Sequence, residues 1–375
     1  MSEKPPSPRR RAPRAAASQT PSTLEQQVME AISATEVPEN LGSLLGNSSA
    51  TRMTDNEIES IYAEAQRLSD VTKRKGFKVE YHGIQKTGKT MNAMTAASLV
   101  PENPKISDDL RLLLSEGVIP RGDPVFILDT ELKAEKLRYK FRNTGKNIFI
   151  FPIFFEDPVR PMQVDATKCL LKMANILTMI SKKFPDRGTV VIDSATDVTR
   201  WVIKHIKFRL LSLNADGSEL GDMFRLQPGD YQPRDDLWDY ILKISQNMTQ
   251  HFIYTSREKE DWSFEKDGDG NMTGKTGIYS AKRYAELPFQ MDVEVALRYK
   301  YDAHGVPVAR VGRIISNQYD DEKLAGVELE NPTFPRLIDM IIPYSHVIEL
   351  EALKARKEQN VSQTNTNQAQ ATRTQ

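Results

Sequence analysis

The chain runs to 375 residues, room for one large domain or one domain with appendages. Its 51 basic and 51 acidic side chains cancel, so nucleic acid cannot be recognised by overall charge and any such surface must be local. A lone cysteine, Cys169, excludes a disulfide or zinc framework, and no apolar run approaches the ~18 residues of a membrane span.

The first residues hold Pro, Ser, Ala and a basic cluster (Lys4, Arg9, Arg10, Arg11, Arg14) without the apolar region of a secretory signal. A cytoplasmic protein is expected, with no membrane partner. Residues 1–50 read as a disordered basic arm and linker, with a short helix over Leu24–Ile32. The arm reads as a solvated tail, or alternatively as a phosphate-seeking segment. Residues 51–76 read as a flanking helix. Thr54-Asp55-Asn56-Glu57 forms a capping box, Ile58, Ile61, Tyr62, Ala65 and Leu68 form an apolar stripe, and Gly76 stops it.

Phe77–Tyr81 alternates as a strand and leads into Gly83-Ile84-Gln85-Lys86-Thr87-Gly88-Lys89-Thr90. This is G-x-x-x-x-G-K-[ST], the loop that wraps a nucleotide's phosphates. Gly83 and Gly88 allow turns that let N–H groups converge on phosphate oxygens. Lys89 sets a compact charge against the β- and γ-phosphates, and the Thr90 hydroxyl is a hard ligand for Mg²⁺. The nucleotide contacts are expected over Gly83–Thr90 and Met91. Met91–Val100 reads as the following helix, ended by Pro101.

Beyond it the chain alternates. Helices are expected over Ser107–Leu114, Leu132–Phe141, Thr167–Phe184, Val198–Leu213 and Asp236–Met248. Strands are expected over Pro124–Asp129, Asn147–Phe155, Thr189–Asp193 and His251–Thr255. Cys169 falls on an apolar helical stretch and reads as a buried small hydrophobe. Repeated β-α-β-α implies a mainly parallel sheet flanked by helices, with ligands at the carboxyl ends of the strands. Asp292–Tyr301 and Val308–Gln318 read as a late antiparallel hairpin around Asp302-Ala303-His304-Gly305. Arg336–Ile342 and His346–Lys357 read as helices, and the Asn/Gln/Thr tail from Gln359 as disordered.

Three strand ends carry candidate chemistry. Asp193 can hold the Mg²⁺ opposite Thr90. Glu131 can orient or deprotonate an attacking water, or it can be a helix N-terminal carboxylate; spacing leaves both open. Ser256 and Arg257, leaving the strand HFIYT, can touch a γ-phosphate as sensors, or simply cap the strand. The helix after Asp193 carries Arg200, Lys204 and Lys207 on one side, a solvated face or a contact for DNA or a neighbouring subunit. Two decoys fail. Thr273-Gly274-Lys275-Thr276 lacks the earlier glycine, and Asp267–Asn271 lacks a calcium loop's sixth and twelfth positions.

GIQKTGKT, ILDTE, VVIDS and HFIYTSRE, in that order, resemble the RecA-like branch of P-loop ATPases over about residues 75–320. The similarity is greatest to the compact RecA-like ATPases of phages, plasmids and archaeal elements. The resemblance implies an ATPase domain over 77–345, followed by a short helix and polar tail over 346–375. It implies ATP and Mg²⁺ as cofactors, with Glu131 and Lys89 as catalytic residues. It also implies two mobile loops contacting single-stranded DNA, by position 214–234 and 258–285. In the second, Lys275, Lys282 and Arg283 could meet phosphates, and Trp262, Phe264 or Tyr279 could stack on bases. Six acidic residues there oppose that charge. The late-strand lysines that reach a neighbour's ATP in RecA-like recombinases have no counterpart at Ser316-Asn317-Gln318. Arg310 and Arg313 lie upstream as candidate substitutes.

The expected function is an oligomeric ATPase that acts on single-stranded DNA in recombination or replication. The alternative is a nucleotide-gated assembly or scaffold protein with incidental turnover. A small-molecule kinase fits less well, since no arginine cluster is placed to hold a second substrate.

Overall fold

β1 (Lys78–Gly83) is buried along its whole length and ends directly in the phosphate loop. The computed structural model describes residues 75–144, 147–158, 163–213, 232–262 and 275–373. The expected basic arm, linker and flanking helix lie outside the described residues, as do most of 214–234 and the centre of 258–285.

After the loop come α1 (Lys89–Met94) and a 3-10 turn over Thr95–Ser98, so the helix expected to reach Val100 is shorter. Two contacts from distant chain explain the tightening: the Phe334 amide donates to Thr95 Oγ1 and the Gly122 amide to the Leu99 carbonyl. α2 (Asp108–Ser115) is capped by Ser107, whose Oγ accepts from the Leu110 amide. β2 (Arg121–Asp129) leads to α3 (Glu135–Arg138), a single turn where a ten-residue helix was expected. Leu132 has φ +56°, which bars an earlier helical start, and a 3-10 stretch takes over from Tyr139. There follow β3 (Ile148–Pro152), α4 (Ala166–Lys183), β4 (Arg187–Asp193), α5 (Ala195–Leu213) and α6 (Gln232–Asn247).

β5 (His251–Trp262) continues well past Thr255 and turns back as β6 (Lys275–Ala281), pairing Glu258 with Ala281. The described ends of 258–285 are therefore a β-ribbon and not a mobile loop. β7 (Val293–Tyr301) and β8 (Pro307–Asn317) form the expected hairpin, with Gly305 at φ +76° in the turn. After α7 (Asp321–Leu324), β9 (Glu328–Glu330) and α8 (Phe334–Ser345) comes α9 (Val347–Arg373). The tail from Gln359, expected disordered, is helical to Arg373; it contains no Gly or Pro to stop a helix.

The sheet runs β3-β2-β4-β5-β1-β7-β8-β9, with β6 on β5. β1 to β5 and β7 are parallel neighbours; β6, β8 and β9 are antiparallel. Alternation assigns the faces. Val79, Tyr81, Val125, Ile127, Val191, Ile253 and Val295 share one core with Leu110, Leu113 and Ile338 of α2 and α8. The other face carries Phe126, Phe252 and Tyr254, with Phe149 and Phe184 against Phe126. There α4 packs on α5, and α5 on α6 and β5. Cys169 is buried on α4, as expected.

Candidate nucleotide site

The phosphate loop is held open by its own backbone. Gly88 has φ +92° and Lys86 φ +70°. A Cβ on Gly83 would stand 2.6 Å from the Leu297 carbonyl oxygen and 2.7 Å from Thr87 Oγ1, so only glycine fits. Thr87, buried, donates to the Ile84 carbonyl at 3.0 Å. Gln85 and Lys86 are exposed at the rim, with Ile84 and Met91 half-buried. Lys89 Nζ folds over the loop and donates to the Gly83 and Ile84 carbonyls, both at 2.9 Å. Burial pulls this ammonium below its ordinary range, against the charges of Asp193 and Glu131. A buried ammonium whose hydrogen bonds go to neutral carbonyls can exchange them for an anion.

Thr90 Oγ1 donates to Asp193 Oδ2 at 2.7 Å, and the other carboxylate oxygen is bonded by Thr255 Oγ1. Burial raises Asp193 to about 6, partly offset by these two hydroxyls. Among the described residues no group of three or more His, Cys, Asp or Glu could hold a metal. An ion here would therefore draw on Thr90, Asp193, phosphate oxygens and water, the ligand set magnesium favours. Two hard oxygens meeting at the loop fit that requirement. Thr130 fixes the segment behind Asp193: its Oγ1 donates to the Asp193 carbonyl at 3.0 Å and accepts from the Ser194 amide at 2.8 Å. The Asp193–Ser194 peptide is cis.

Glu131 sits in a turn shaped by Asp129, whose carboxylate accepts from the amides of Glu131 (3.1 Å) and Ala134 (2.8 Å). The helix starts only at Glu135, so Glu131 is not a first-turn carboxylate. It meets Arg257 Nε at 2.7 Å and Lys133 Nζ at 3.2 Å, while Arg257 Nη2 reaches Asp197 at 2.7 Å. Burial raises Glu131, but the bond and charge from Arg257, with Lys133, outweigh it and hold the carboxyl below its usual range.

Ser256 and Arg257 lie within β5 and do not leave its end. In the parallel register Asp193 pairs with Thr255, so Thr255 and Arg257 share the face of the phosphate loop. Ser256, expected as a sensor beside Arg257, points to the opposite face, where it pairs with His82. Alternation along HFIYTSR separates Ser256 from Thr255 and Arg257, but which residue meets Asp193 depends on the register of β4 and β5. Thr130 and Asp197 carried no sequence signal, because their partners are distant in the chain.

On that opposite face three buried carboxylates meet two arginines and a histidine. His82 Nε2 contacts Glu294 at 3.1 Å and its Nδ1 contacts Glu258 at 2.5 Å. Arg283 bridges Glu80 (3.0 Å) and Glu294 (2.8 Å), and Arg298 reaches Glu258 at 2.9 Å. Arg283, expected to meet DNA, is thus consumed inside the protein, paired with Glu80 and Glu294. Lys204 donates to the Val164 carbonyl at 3.3 Å and Arg200 pairs with Asp197 at 3.4 Å on an exposed surface. Lys282 is exposed, near Ser280 Oγ. The side chain of Lys275 lies outside the described residues.

No family model matches the sequence, and no curated protein does. Among solved structures the chain is similar to an ATPase from the type III secretion system of pathogenic bacteria. That likeness has 14% identity and TM-score 0.32, covering 60% of this chain and 52% of the other. It is also similar to the ATP synthase subunit NeqB from Nanoarcheaum equitans, at 9% identity and TM-score 0.33, over 60% and 47%. The chain spans about half the length of these structures. Likeness this slight says nothing of what the chain binds.

Proposed function

We propose that the chain binds ATP with Mg²⁺ and hydrolyses it, as a RecA-like ATPase acting on single-stranded DNA. The observation that carries the nucleotide reading is the 2.7 Å bond between Thr90 and Asp193, two hard oxygens suited to a shared ion. When bound, the ion would neutralise charge on the phosphate oxygens. Lys89 would exchange its two carbonyl partners for β- and γ-phosphate oxygens, and the loop amides would hold the chain of phosphates. Glu131 would orient the attacking water, with Arg257 fixing the carboxylate's direction.

The DNA reading rests on the resemblance and on two exposed residues, Tyr279 of β6 and Lys282 just past its end. A nucleotide-gated scaffold is the second reading. It is favoured by one feature, the engagement of Glu131 by both Arg257 and Lys133, which weakens it as a base.

ATPase assays with and without single-stranded DNA separate the two. A several-fold, salt-sensitive rise with DNA supports the first. A nucleotide-dependent change in particle size with no DNA effect supports the second. An absence of ATP binding overturns both.

A further inference from the structure

The hairpin β7–β8 reaches the phosphate loop from the same chain. Tyr299 Oη donates to the Lys86 carbonyl at 2.7 Å, pinning the rim of the loop. Arg310, the residue paired with Tyr299 across the hairpin, lies over Gly88. Its Cδ and Cζ stand 3.3 and 3.4 Å from where a Cβ on Gly88 would be, with Nη1 nearer still. Gly88 is therefore doubly constrained, by its positive φ and by this side chain.

Among the described residues, that guanidinium meets no counter-charge. Arg257, Arg283 and Arg298 each have carboxylate partners. Arg310 has no ion pair among the described residues, and Glu330 on the adjoining strand is taken by Lys300 at 3.1 Å. Its backbone is fixed, since the Asn331 amide donates to its carbonyl at 2.6 Å. A half-buried guanidinium, anchored at its root and laid across a phosphate loop, is placed for a bidentate grip on phosphate oxygens.

We propose that Arg310 is a nucleotide-phosphate ligand supplied in cis, so that the chain's own late hairpin and not a neighbouring subunit completes the charge around the phosphates. This rests on the nucleotide reading above. It departs from the expectation that Arg310 or Arg313 reaches across to another copy: Arg313 points out near Gly326, its Nη2 3.6 Å from a Cβ position there.

The test is equilibrium binding of Mg-ATP and Mg-ADP to the full chain and to Arg310→Ala and Arg310→Lys, with thermal melts as a check on folding. Arg310→Ala should weaken ATP at least tenfold, and Arg310→Lys should recover part of the loss. The unpaired side chain should leave the melting temperature of the nucleotide-free protein unchanged. Mixing Arg310→Ala with Lys89→Ala then asks whose phosphates are touched. A cis ligand gives no recovery of hydrolysis; a trans ligand restores it. Wild-type affinity in Arg310→Ala, or recovery on mixing, overturns the inference while leaving the nucleotide reading intact. Failure of the wild-type chain to bind ATP overturns both.

Discussion

Asp193 has to be ionised to hold a divalent cation, yet its burial favours the protonated form. Its carboxyl is raised to about 6 from an ordinary 3.8, so below pH 6 the ionised fraction falls about tenfold per unit. Mg-ATP affinity should therefore drop as pH falls through about 6, and binding at that pH should release protons. Asp193→Asn should remove this pH dependence. A titration in which wild type and variant show the same slope would contradict the assignment. Lys89→Ala should abolish ATP binding measured by fluorescent-nucleotide titration, since it removes the buried ammonium proposed to meet the phosphates. Retained affinity would show that phosphate is held elsewhere. The loop was legible in the sequence because its eight residues are contiguous, and Asp193 because it ends an apolar strand. Thr255 was hidden, because its contact with Asp193 depends on the register of two strands whose partners lie some sixty residues apart.

At the scale of elements, β5 faces two ways. Arg257 contacts Glu131 on one side, and the next residue, Glu258, enters the His82 network on the other. Glu258 and Arg283 flank the β5–β6 ribbon, so the network anchors the ribbon's root to β1 and β7. Breaking a buried pair costs about 3–5 kcal/mol. Arg283→Ala should therefore destabilise the protein by roughly 3 kcal/mol in urea titration, and a loss under about 1 kcal/mol would remove the network from the account.

The pH sign follows from the partners. For His82, burial lowers the pKa, but Glu258 and Glu294 outweigh it and the net shift is upward. Its contribution is thus complete below the ordinary value near 6.5 and fades as pH rises through the higher folded value. Glu258 and Glu294 are depressed in spite of burial, through His82 and the arginines, with Glu294 at about 2. Their contribution holds above 4.5 and fades as pH falls towards that value. The combined contribution of His82, Glu258 and Glu294 should be greatest between about pH 4.5 and 6.5, whereas that of Glu80, raised by burial, is lost as pH rises above 4.5. Lys78, lowered by burial to about 7, contributes with the opposite sign on the alkaline side. The informative quantity is therefore the melting-temperature difference between wild type and His82→Gln. That difference should shrink as pH rises above 6.5; a constant difference would contradict it. None of this was legible in the sequence. The stretch EKEDW reads as a charged loop until β6 pairs with it and His82 and Arg298 engage Glu258.

Across the whole molecule, the periodicity of apolar runs revealed the parallel core strands, the late hairpin and the polarity of the site. What it missed lies where distant chain meets. The extension of β5 depends on β6, the shortening of α1 on Phe334 and Gly122, and the placement of Arg310 on the pairing of β8 with β7. The continuation of α9 past Gln359 was missed for another reason, since polar composition was read as disorder although the segment lacks a helix breaker. The sheet brings these parts to one edge. The carboxyl ends of β1, β2 and β4 supply the phosphate loop, Glu131 and Asp193, the middle of β5 adds Thr255, and β8 adds Arg310 from the flank.

The most direct measurement is calorimetric titration of ATP into the wild-type chain and Asp193→Asn, each with Mg²⁺ and with a chelator. The predicted result is binding at least tenfold tighter with Mg²⁺ in the wild type, and no such advantage in the variant. A wild type indifferent to Mg²⁺, or an Asp193→Asn chain that keeps the full advantage, would mean that Thr90 and Asp193 do not share an ion.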